Sequence, residues 1–456
     1  MAYDLRRINY LKRLQKFFRL KTTQVIILSF VLMILIGTVL LMLPFSTTNN
    51  LGLSLVDALF MSTSASCVTG LTVVDLHNDL TIFGTVVMLI LIQVGGLGIM
   101  TLATLAVYKI GYRFCLQDSL ILQESLNQGG QTGLVELIRK MIKYTFVIEG
   151  FFAVVLTIHF IPEFGVKAIG YGIFHSVSAF CNGGFDLFGN YDSLCKRNDD
   201  YFLMACIGAL IILGGIGFTV IADFLNRRRW KKFSLHTKIV VVMNVALIIV
   251  GTLLIFIVEY YNPHTVGNLS VPAQLANACF TSISCRTAGF NTFDLAQTEQ
   301  ITQLTMIILM FIGASPLSTG GGIKSTTFFV ILESMWTVFR GKNEIVVFGR
   351  RITREIRDRA FAIFTMGTIW VVVAGIILSL IDREVHDLEE VIFETVSAFG
   401  TVGMGIGITS GWNISGKLIL TLTMLVGRIG IMTFMLALIT QKSSAIKYPP
   451  EDIMIG

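Results

Sequence analysis

Long apolar segments alternate with short polar ones along almost the whole chain. Eight of them are long enough to cross about 30 Å of hydrocarbon as helices. We expect these spans near residues 23–43, 82–108, 143–161, 201–222, 237–258, 301–339, 361–381 and 415–440. They form four pairs, and a shorter apolar segment of roughly 10 to 14 residues lies between the members of each pair. Such a segment makes roughly 15 to 20 Å of helix, so it enters the bilayer halfway and must return.

Each short segment ends in a turn of small residues that is closed by glycine. The four copies are FMSTSASCVTG at 60–70, FHSVSAFCNGG at 174–184, FTSISCRTAG at 280–289 and FETVSAFGTVG at 393–403. Their glycines are 114, 105 and 114 residues apart, so the chain reads as one unit repeated four times. This pattern predicts an all-α polytopic membrane protein, with four parallel repeats of helix, re-entrant pore helix and helix around a pseudo-fourfold pore.

Composition supports a place in the bilayer. Of the 456 residues, 54% are hydrophobic and 14% are charged, whereas a soluble domain carries about 25% charged residues. The seven cysteines form no CxxC pair, and the six histidines form no HExxH motif. A disulfide framework, a zinc site and metal-dependent hydrolysis are therefore not indicated.

Basic residues indicate the orientation. Segments predicted to be cytoplasmic hold 27 of the 35 Lys and Arg residues, so both termini are expected in the cytoplasm and all four half-helices enter from outside. The basic run at 227–232 is assigned to orientation and contact with membrane lipids rather than to nucleic-acid binding. The predicted division is a basic N-terminal segment 1–21, repeat 1 at 22–108, a loop at 109–142, repeat 2 at 143–225, a basic loop at 226–236, repeat 3 at 237–339, a loop at 340–360, repeat 4 at 361–440 and a C-terminal tail 441–456.

The glycine turns are the candidate ion site. Backbone that is neither helix nor barrel survives at membrane depth only when it is buried in protein or lines water. Four such turns on one axis present a ring of carbonyl oxygens, which replace the hydration shell of a monovalent cation and suit potassium. The predicted filter residues are Val68, Thr69, Gly70, Asn182, Gly183, Gly184, Thr287, Ala288, Gly289, Thr401, Val402 and Gly403.

The sixth span is interrupted by residues 313–325. The flanking stretches 301–312 and 326–339 are each too short to cross alone, and proline with three glycines breaks the helix. The interruption occurs in one repeat only, which favours a specialised gating element that lines a cavity. The candidate gating residues here are Gly313, Ser315, Pro316, Ser318, Thr319, Gly320, Gly321, Gly322 and Lys324.

Two arginines are expected at membrane depth. Arg286 precedes Gly289 by three residues, and its charge requires a partner, for which we expect Glu394 in the next repeat. We interpret this pair as a brace that supports the filter. Arg428, on the last span, is expected below the filter as an electrostatic barrier or a part of the gate, with snorkelling to the interface as the alternative.

These motifs resemble the Trk/Ktr/HKT family of potassium transporters. The resemblance covers SASCVTGL, SAFCNGGF, CRTAGF and SAFGTVGM, followed by GGLGIMT, GGIGFTV, STGGGIKST and GRIGIMT in the second helices. It implies potassium-selective uptake, a homodimer with one pore per subunit, and a cytosolic nucleotide-binding regulatory ring (KtrA-like). It also implies that the broken span is an intramembrane loop that obstructs ion flow. Gly183 and Cys285 replace the alanines usual in the family and remove no filter glycine.

Several alternatives stay open at this point. K+ is the expected transported ion, and Na+ is left open as an activator. A sodium- or proton-coupled symporter with alternating access competes with the channel-like function, while a membrane enzyme is disfavoured because no catalytic grouping shares one depth. No segment outside the membrane is long enough for a nucleotide-binding domain, so nucleotide is expected to act only through a partner that docks on 111–142, 340–359 or the tail at 447–452.

Overall fold

Helices make up nearly all of the regular structure in the computed structural model, which describes residues 22–98, 134–227, 229–381 and 386–438. Large apolar side chains face outward along these helices; Leu32 is 57% exposed and Val39 62%. Outward apolar faces of this extent are typical of a protein whose solvent is lipid rather than water. The predicted segment 1–21, the tail 441–456 and most of the loop 109–142 lie outside the described residues.

The first repeat consists of α1 (Thr22–Leu41), α2 (Leu55–Cys67) and α3 (Ile82–Leu97). Helix α2 is the first pore helix, and it ends at the cysteine three residues before Gly70. The side chain of Ser54 caps its N-terminus by accepting from the backbone N–H of Asp57.

The second repeat consists of α4 (Leu134–Phe164), α5 (Ala168–Phe180), α6 (Tyr201–Gly215) and α7 (Phe218–Arg227). Helix α4 begins at Leu134, ahead of the predicted start at 143, since no glycine or proline interrupts the chain there. Helices α6 and α7 are bent by 94°. The bend lies at Gly217, whose φ of 97° favours glycine.

The third repeat consists of α8 (Leu235–Glu259), α9 (Val271–Ser284), α10 (Gln300–Phe311) and α11 (Ser325–Phe339). Its second membrane helix is split into α10 and α11, as the sequence predicts. We call the segment between them, residues 312–324, the gate loop.

A short antiparallel hairpin, β1 (Ile345–Val347) and β2 (Arg350–Ile352), precedes the fourth repeat. Its two turn residues Phe348 and Gly349 both have positive φ, as a type I′ turn requires. The repeat consists of α12 (Arg354–Ile381), α13 (Leu388–Gly400), α14 (Ile414–Ile429) and α15 (Ile431–Leu438), with a bend of 101° between α14 and α15.

Helix length and composition identify six of the eight predicted spans among the described residues. Among the described residues, four helices are long and apolar enough to cross a membrane, and two bent pairs bring the number to six. The other two expected spans are the second helices of repeats 1 and 3. The first is described only over the 16 residues of α3, and the second is divided by the gate loop.

The repeats are arranged as a closed cycle. Each pore helix packs against the second membrane helix of the preceding repeat. The four contacting pairs are α2 with α14, α5 with α3, α9 with α6, and α13 with α10. This cyclic order places the C-terminal ends of the four pore helices around one centre, as pseudo-fourfold symmetry requires.

Candidate functional site

The four glycine turns meet in a ring. Each glycine Cα faces the backbone oxygen of the residue that precedes the next glycine along the chain. A Cβ added to Gly70 would lie 2.6 Å from the Gly183 oxygen, and one added to Gly184 would lie 2.7 Å from the Ala288 oxygen. The cycle closes where Gly289 faces the Val402 oxygen and Gly403 faces the Thr69 oxygen. The structure therefore brings all four predicted turns together, and no side chain larger than hydrogen fits at the glycine positions.

The backbone of each turn alternates in handedness. The four glycines have φ of 98°, 67°, 83° and 87°. Two residues earlier, Val68, Asn182, Thr287 and Thr401 also have positive φ, from 50° to 77°. For a β-branched residue this conformation costs about 1 to 3 kcal/mol, so the surrounding contacts must impose it. The sequence analysis names these four residues as filter residues, but it predicts an unusual backbone conformation only at the glycines.

A serine hydroxyl supports each turn from behind. Ser64 Oγ accepts from Gly70 N at 3.1 Å and donates to Leu71 O at 2.7 Å. The same role is filled by Ser178, which bonds both backbone atoms of Phe185, by Ser284, which donates to Phe290 O, and by Ser397, which accepts from Gly403 N. Sequence reasoning missed these serines, although each one lies within the repeated motif.

The third turn is one residue shorter than the others. The serine precedes the filter glycine by six residues in repeats 1, 2 and 4 and by five in repeat 3. The backbone oxygen of Ser284 nevertheless accepts from Ala288 N, as the oxygen of Ser64 accepts from Thr69 N. The ring therefore closes in spite of the missing residue.

Glycines of the second helices allow close contact with the filter. A Cβ on Gly95, Gly214 or Gly427 would overlap the backbone oxygen of Ser66, Phe180 or Phe399, respectively. Those oxygens belong to the residues four positions before a filter glycine. The small residues of these motifs therefore serve helix packing at the base of the filter.

The predicted pairing of Arg286 with Glu394 is wrong. Arg286 Nη1 donates to Asn244 Oδ1, and Nη2 donates to Gly313 O at 3.5 Å. Glu394 instead accepts from Thr409 Oγ1 and from Trp412 Nε1, the latter at 3.2 Å. Glu394 lies six residues before the end of α13, about 9 Å along the helix from the depth of Arg286. The two charges are therefore at different depths, and each has its own polar partners.

The gate loop lies directly against the filter turns. A Cβ on Gly320 would overlap Thr287 Oγ1, and one on Gly321 would overlap Thr401 Oγ1. Thr319 Oγ1 donates to Phe180 O at 3.0 Å, which attaches the loop to the second pore helix. The other predicted gating residues of the loop make contacts within it or with a neighbouring helix end. Ser318 Oγ donates to Ser315 O at 2.6 Å, Gly313 contacts Gly322, and Pro316 O lies against Gly217.

Two cations lie at the gate loop. Arg428 donates from its guanidinium to Thr319 O, Gly95 O and Gly96 O, so it contacts the loop and the first repeat together. Lys324 Nζ donates to Gly320 O at 2.8 Å and to Gly321 O at 3.3 Å. None of the ion pairs of the described residues includes either side chain. Their positive charge is therefore held by backbone oxygens directly below the filter.

A carboxylate follows the second filter turn. Asp186 comes two residues after Gly184, where the other repeats have Thr72, Asn291 and Gly405. Burial and the nearby carboxylates of Asp75 and Asp192 raise the pKa of Asp186 to about 6. Sequence reasoning missed this residue, although it is the charged member of the four equivalent positions.

The ring, the pore helices and the loop beside them define a polytopic membrane protein whose four repeats meet at a ring of glycine turns. The chain belongs to the TrkH family of cation transport proteins, whose family model matches residues 8–447. It is a transport protein and not an enzyme. This membership and the fold confirm the predicted class and the family resemblance.

Relatives cover nearly the whole chain. It is 40% identical to the Ktr system potassium uptake protein B of Bacillus subtilis over 442 residues, which span 97% of this chain and 98% of the relative. It is 38% identical to the potassium/sodium uptake protein NtpJ of Enterococcus hirae, over 98% of this chain and 99% of the relative. The crystal structure of the potassium transporter TrkH from Vibrio parahaemolyticus superposes with a TM-score of 0.68 and 22% identity, covering 90% of this chain and 84% of that one.

Proposed function

We propose that this protein takes up potassium across the cell membrane through the ring of Gly70, Gly184, Gly289 and Gly403. The observation that carries the proposal is the closed cycle in which each glycine faces a backbone oxygen of the next turn. Carbonyl oxygens from four segments, with no carboxylate among the twelve filter residues, suit a dehydrated monovalent cation of the size of K+. The potassium uptake named for the relatives points the same way.

Rubidium uptake tests this function. The chain is expressed in a bacterial strain that lacks its own potassium uptake systems, and uptake of labelled Rb+ is measured with K+ or Na+ as the competitor. We expect growth at low K+ and competition by K+ at concentrations where Na+ has little effect. Equal competition by both ions would contradict potassium selectivity.

The gate loop is proposed to obstruct ion flow below the filter. Its support is the contact of Gly320 and Gly321 with the filter threonines and the presence of Arg428 and Lys324 beside it. Shortening the loop within residues 314–323 should raise Rb+ flux into liposomes that contain the purified protein. If the shortened variant inserts into the membrane and unfolds at the same temperature as the wild type but its flux is unchanged, the loop does not obstruct ion flow.

We propose that both termini face the cytoplasm, that the protein is a homodimer, and that a nucleotide-binding regulatory ring docks on its cytoplasmic face. The hairpin β1–β2 suits such a contact, because Val346 is 57% exposed and Phe348 51% beside Arg350 and Arg351. Nucleotide should change the flux only when the ring is present in the same liposomes. A nucleotide effect on this chain alone would contradict the assignment of nucleotide binding to the partner.

A sodium- or proton-coupled symporter is the second candidate. Glu149 favours it, since this carboxyl is 4% exposed, lies 3.8 Å from Cys181 Sγ beside the second filter turn, and takes part in none of the ion pairs of the described residues. A buried carboxyl without a basic partner binds a proton or a cation readily. Flux measured against an imposed Na+ or H+ gradient separates the candidates. A sodium-coupled symporter accumulates K+ under the Na+ gradient and a proton-coupled symporter under the H+ gradient, whereas an uncoupled pathway responds to neither.

A further inference from the structure

Two features that occur only in the third repeat are in contact with each other. Repeat 3 alone has an arginine three residues before its filter glycine, where the other repeats have Cys67, Cys181 and Gly400. Repeat 3 also contains the gate loop that divides α10 from α11. The guanidinium of Arg286 donates to the backbone oxygen of Gly313 at the start of that loop.

Asn244 of α8 lies between the arginine and the loop. Its Oδ1 accepts from Arg286 Nη1, and its Nδ2 donates to Val240 O at 2.7 Å and to Ser315 Oγ at 3.1 Å. A guanidinium has no acceptor, so the amide oxygen must face Arg286 and the amide nitrogen must face Ser315. The direction of these hydrogen bonds is therefore determined.

The chain of hydrogen bonds continues to the second half of the broken helix. Ser315 Oγ accepts from Asn244 and also shares a hydrogen bond of 3.2 Å with Ser325 Oγ, in which either hydroxyl can be the donor. Ser325 is the first residue of α11 and is completely buried. Arg286, Asn244, Ser315 and Ser325 thus connect a filter turn to both ends of the gate loop.

The position of Asn244 is specific to this repeat. The hydroxyls of Ser62, Ser176 and Ser282 donate to the backbone oxygens of Ile34, Glu149 and Ile248, which identifies these three positions as equivalent. Four residues before Ile34, Glu149 and Ile248 stand Phe30, Thr145 and Asn244, respectively. Of these three repeats, only the one that has Arg286 and the gate loop places an asparagine there.

We propose that Asn244 is a positioning residue that couples the filter turn of repeat 3 to the gate loop and holds the loop against the filter. This inference rests on the gating role proposed above for the loop. Arg286 is almost fully buried, at 6% exposure, and a buried guanidinium holds its partners strongly because losing them leaves a charge unpaired. Release of the Ser315 contact frees the loop from this restraint.

The experiment measures Rb+ flux into liposomes for Asn244→Ala, Ser315→Ala and the double variant. We expect each single variant to raise flux roughly two- to tenfold, the range of one lost hydrogen bond. Because both changes break the same connection, the flux of the double variant should not exceed that of the single variant with the larger effect. Asn244→Asp should lower flux, since a carboxylate pairs with Arg286 and can accept a hydrogen bond from the Ser315 hydroxyl, which reverses the direction of that bond and keeps the connection.

Asn277→Ala is the matched control. Asn277 is a buried asparagine of α9 that donates to Ala273 O and Asn198 O, both of which lie outside the gate loop, so its removal should leave gating unchanged. Lower flux in Asn244→Ala or Ser315→Ala, or independent multiplicative effects in the double variant, would overturn the coupling. If shortening the loop raises flux while these variants do not, the coupling fails and the gate survives. If loop shortening also has no effect, the gating proposal itself fails.

Discussion

The guanidinium of Arg428 donates a hydrogen bond to the backbone oxygen of Thr319, so the last membrane helix is joined to the gate loop of the preceding repeat. The same guanidinium donates to Gly95 O in the first repeat. One side chain therefore links three of the four repeats below the filter. In the proposed function, it also places a positive charge beside the ion path.

Arg428→Ala should raise Rb+ flux, because it removes both the restraint on Thr319 and the repulsive charge. We expect an increase of at least about tenfold, since one hydrogen bond to a charged group contributes about 1.5 to 3 kcal/mol and about 1.4 kcal/mol is a factor of ten. Lys417→Ala is the control: Lys417 lies on the same helix and pairs with Asp57 at 2.7 Å, far from the loop. Equal effects of the two variants would show that the contacts of Arg428 are not responsible.

Ser64→Ala and Ser66→Ala make a matched pair within one turn of α2. Both serines are completely buried, but Ser64 Oγ bonds Gly70 N and Leu71 O whereas Ser66 Oγ has no hydrogen-bond partner. Ser64→Ala should lower the free energy of unfolding by about 1 to 3 kcal/mol and reduce discrimination against Na+. Ser66→Ala should change neither quantity. Thermal unfolding in detergent and ion competition measure the two effects, and equal results for both variants would argue against the supporting role.

Gly70→Ser and Gly403→Ser should both lower discrimination against sodium. The φ values of these glycines are 98° and 87°, which a residue with a Cβ adopts only under strain, and an added Cβ at Gly70 would lie 2.6 Å from Gly183 O. The neighbouring turns must move apart, so the ring widens. Gly150→Ser is the control, because its Cβ would meet nothing within 4 Å. If K+ and Na+ compete as in the wild type in both filter variants, the ring is not the selectivity filter.

Much of this fold follows from local patterns in the sequence. The four glycines, the short pore helices and the break in the sixth span depend on the order of apolar, small and helix-breaking residues, which one sequence contains in full. The broken helix is a good example, because Pro316 and the glycines at 320–322 cannot continue α10. Predictions of this kind need no knowledge of which segments become neighbours.

The partners of the buried charges could not be found in the same way. Arg286 and Glu394 are oppositely charged and lie in adjacent repeats, yet Arg286 bonds Asn244, 42 residues away, and Glu394 bonds Thr409 and Trp412. The depth of each residue in the membrane decides which partners it meets. This depth depends on how far its helix enters the membrane.

Asp186 predicts a pH dependence of uptake. Its pKa of about 6 means that the carboxyl is ionised above this pH and neutral below it. It follows Gly184 by two residues, at most about 7 Å of chain. In the proposed orientation it stands at the outer mouth of the filter, where its negative charge attracts K+. Uptake at low K+ should therefore fall as the external pH decreases through about 6.

Asp186→Asn removes this charge at every pH. A unit charge about 7 Å away in water contributes about 0.6 kcal/mol, so the KM for Rb+ at pH 7.5 should rise about threefold and the step near pH 6 should disappear. Asp192→Asn is the companion variant, because the charge of Asp192 helps to raise the pKa of Asp186. Its removal should move the step to lower pH without abolishing it. A pH profile that Asp186→Asn leaves unaltered would show that another group titrates, since the asparagine variant has no proton to lose at this position.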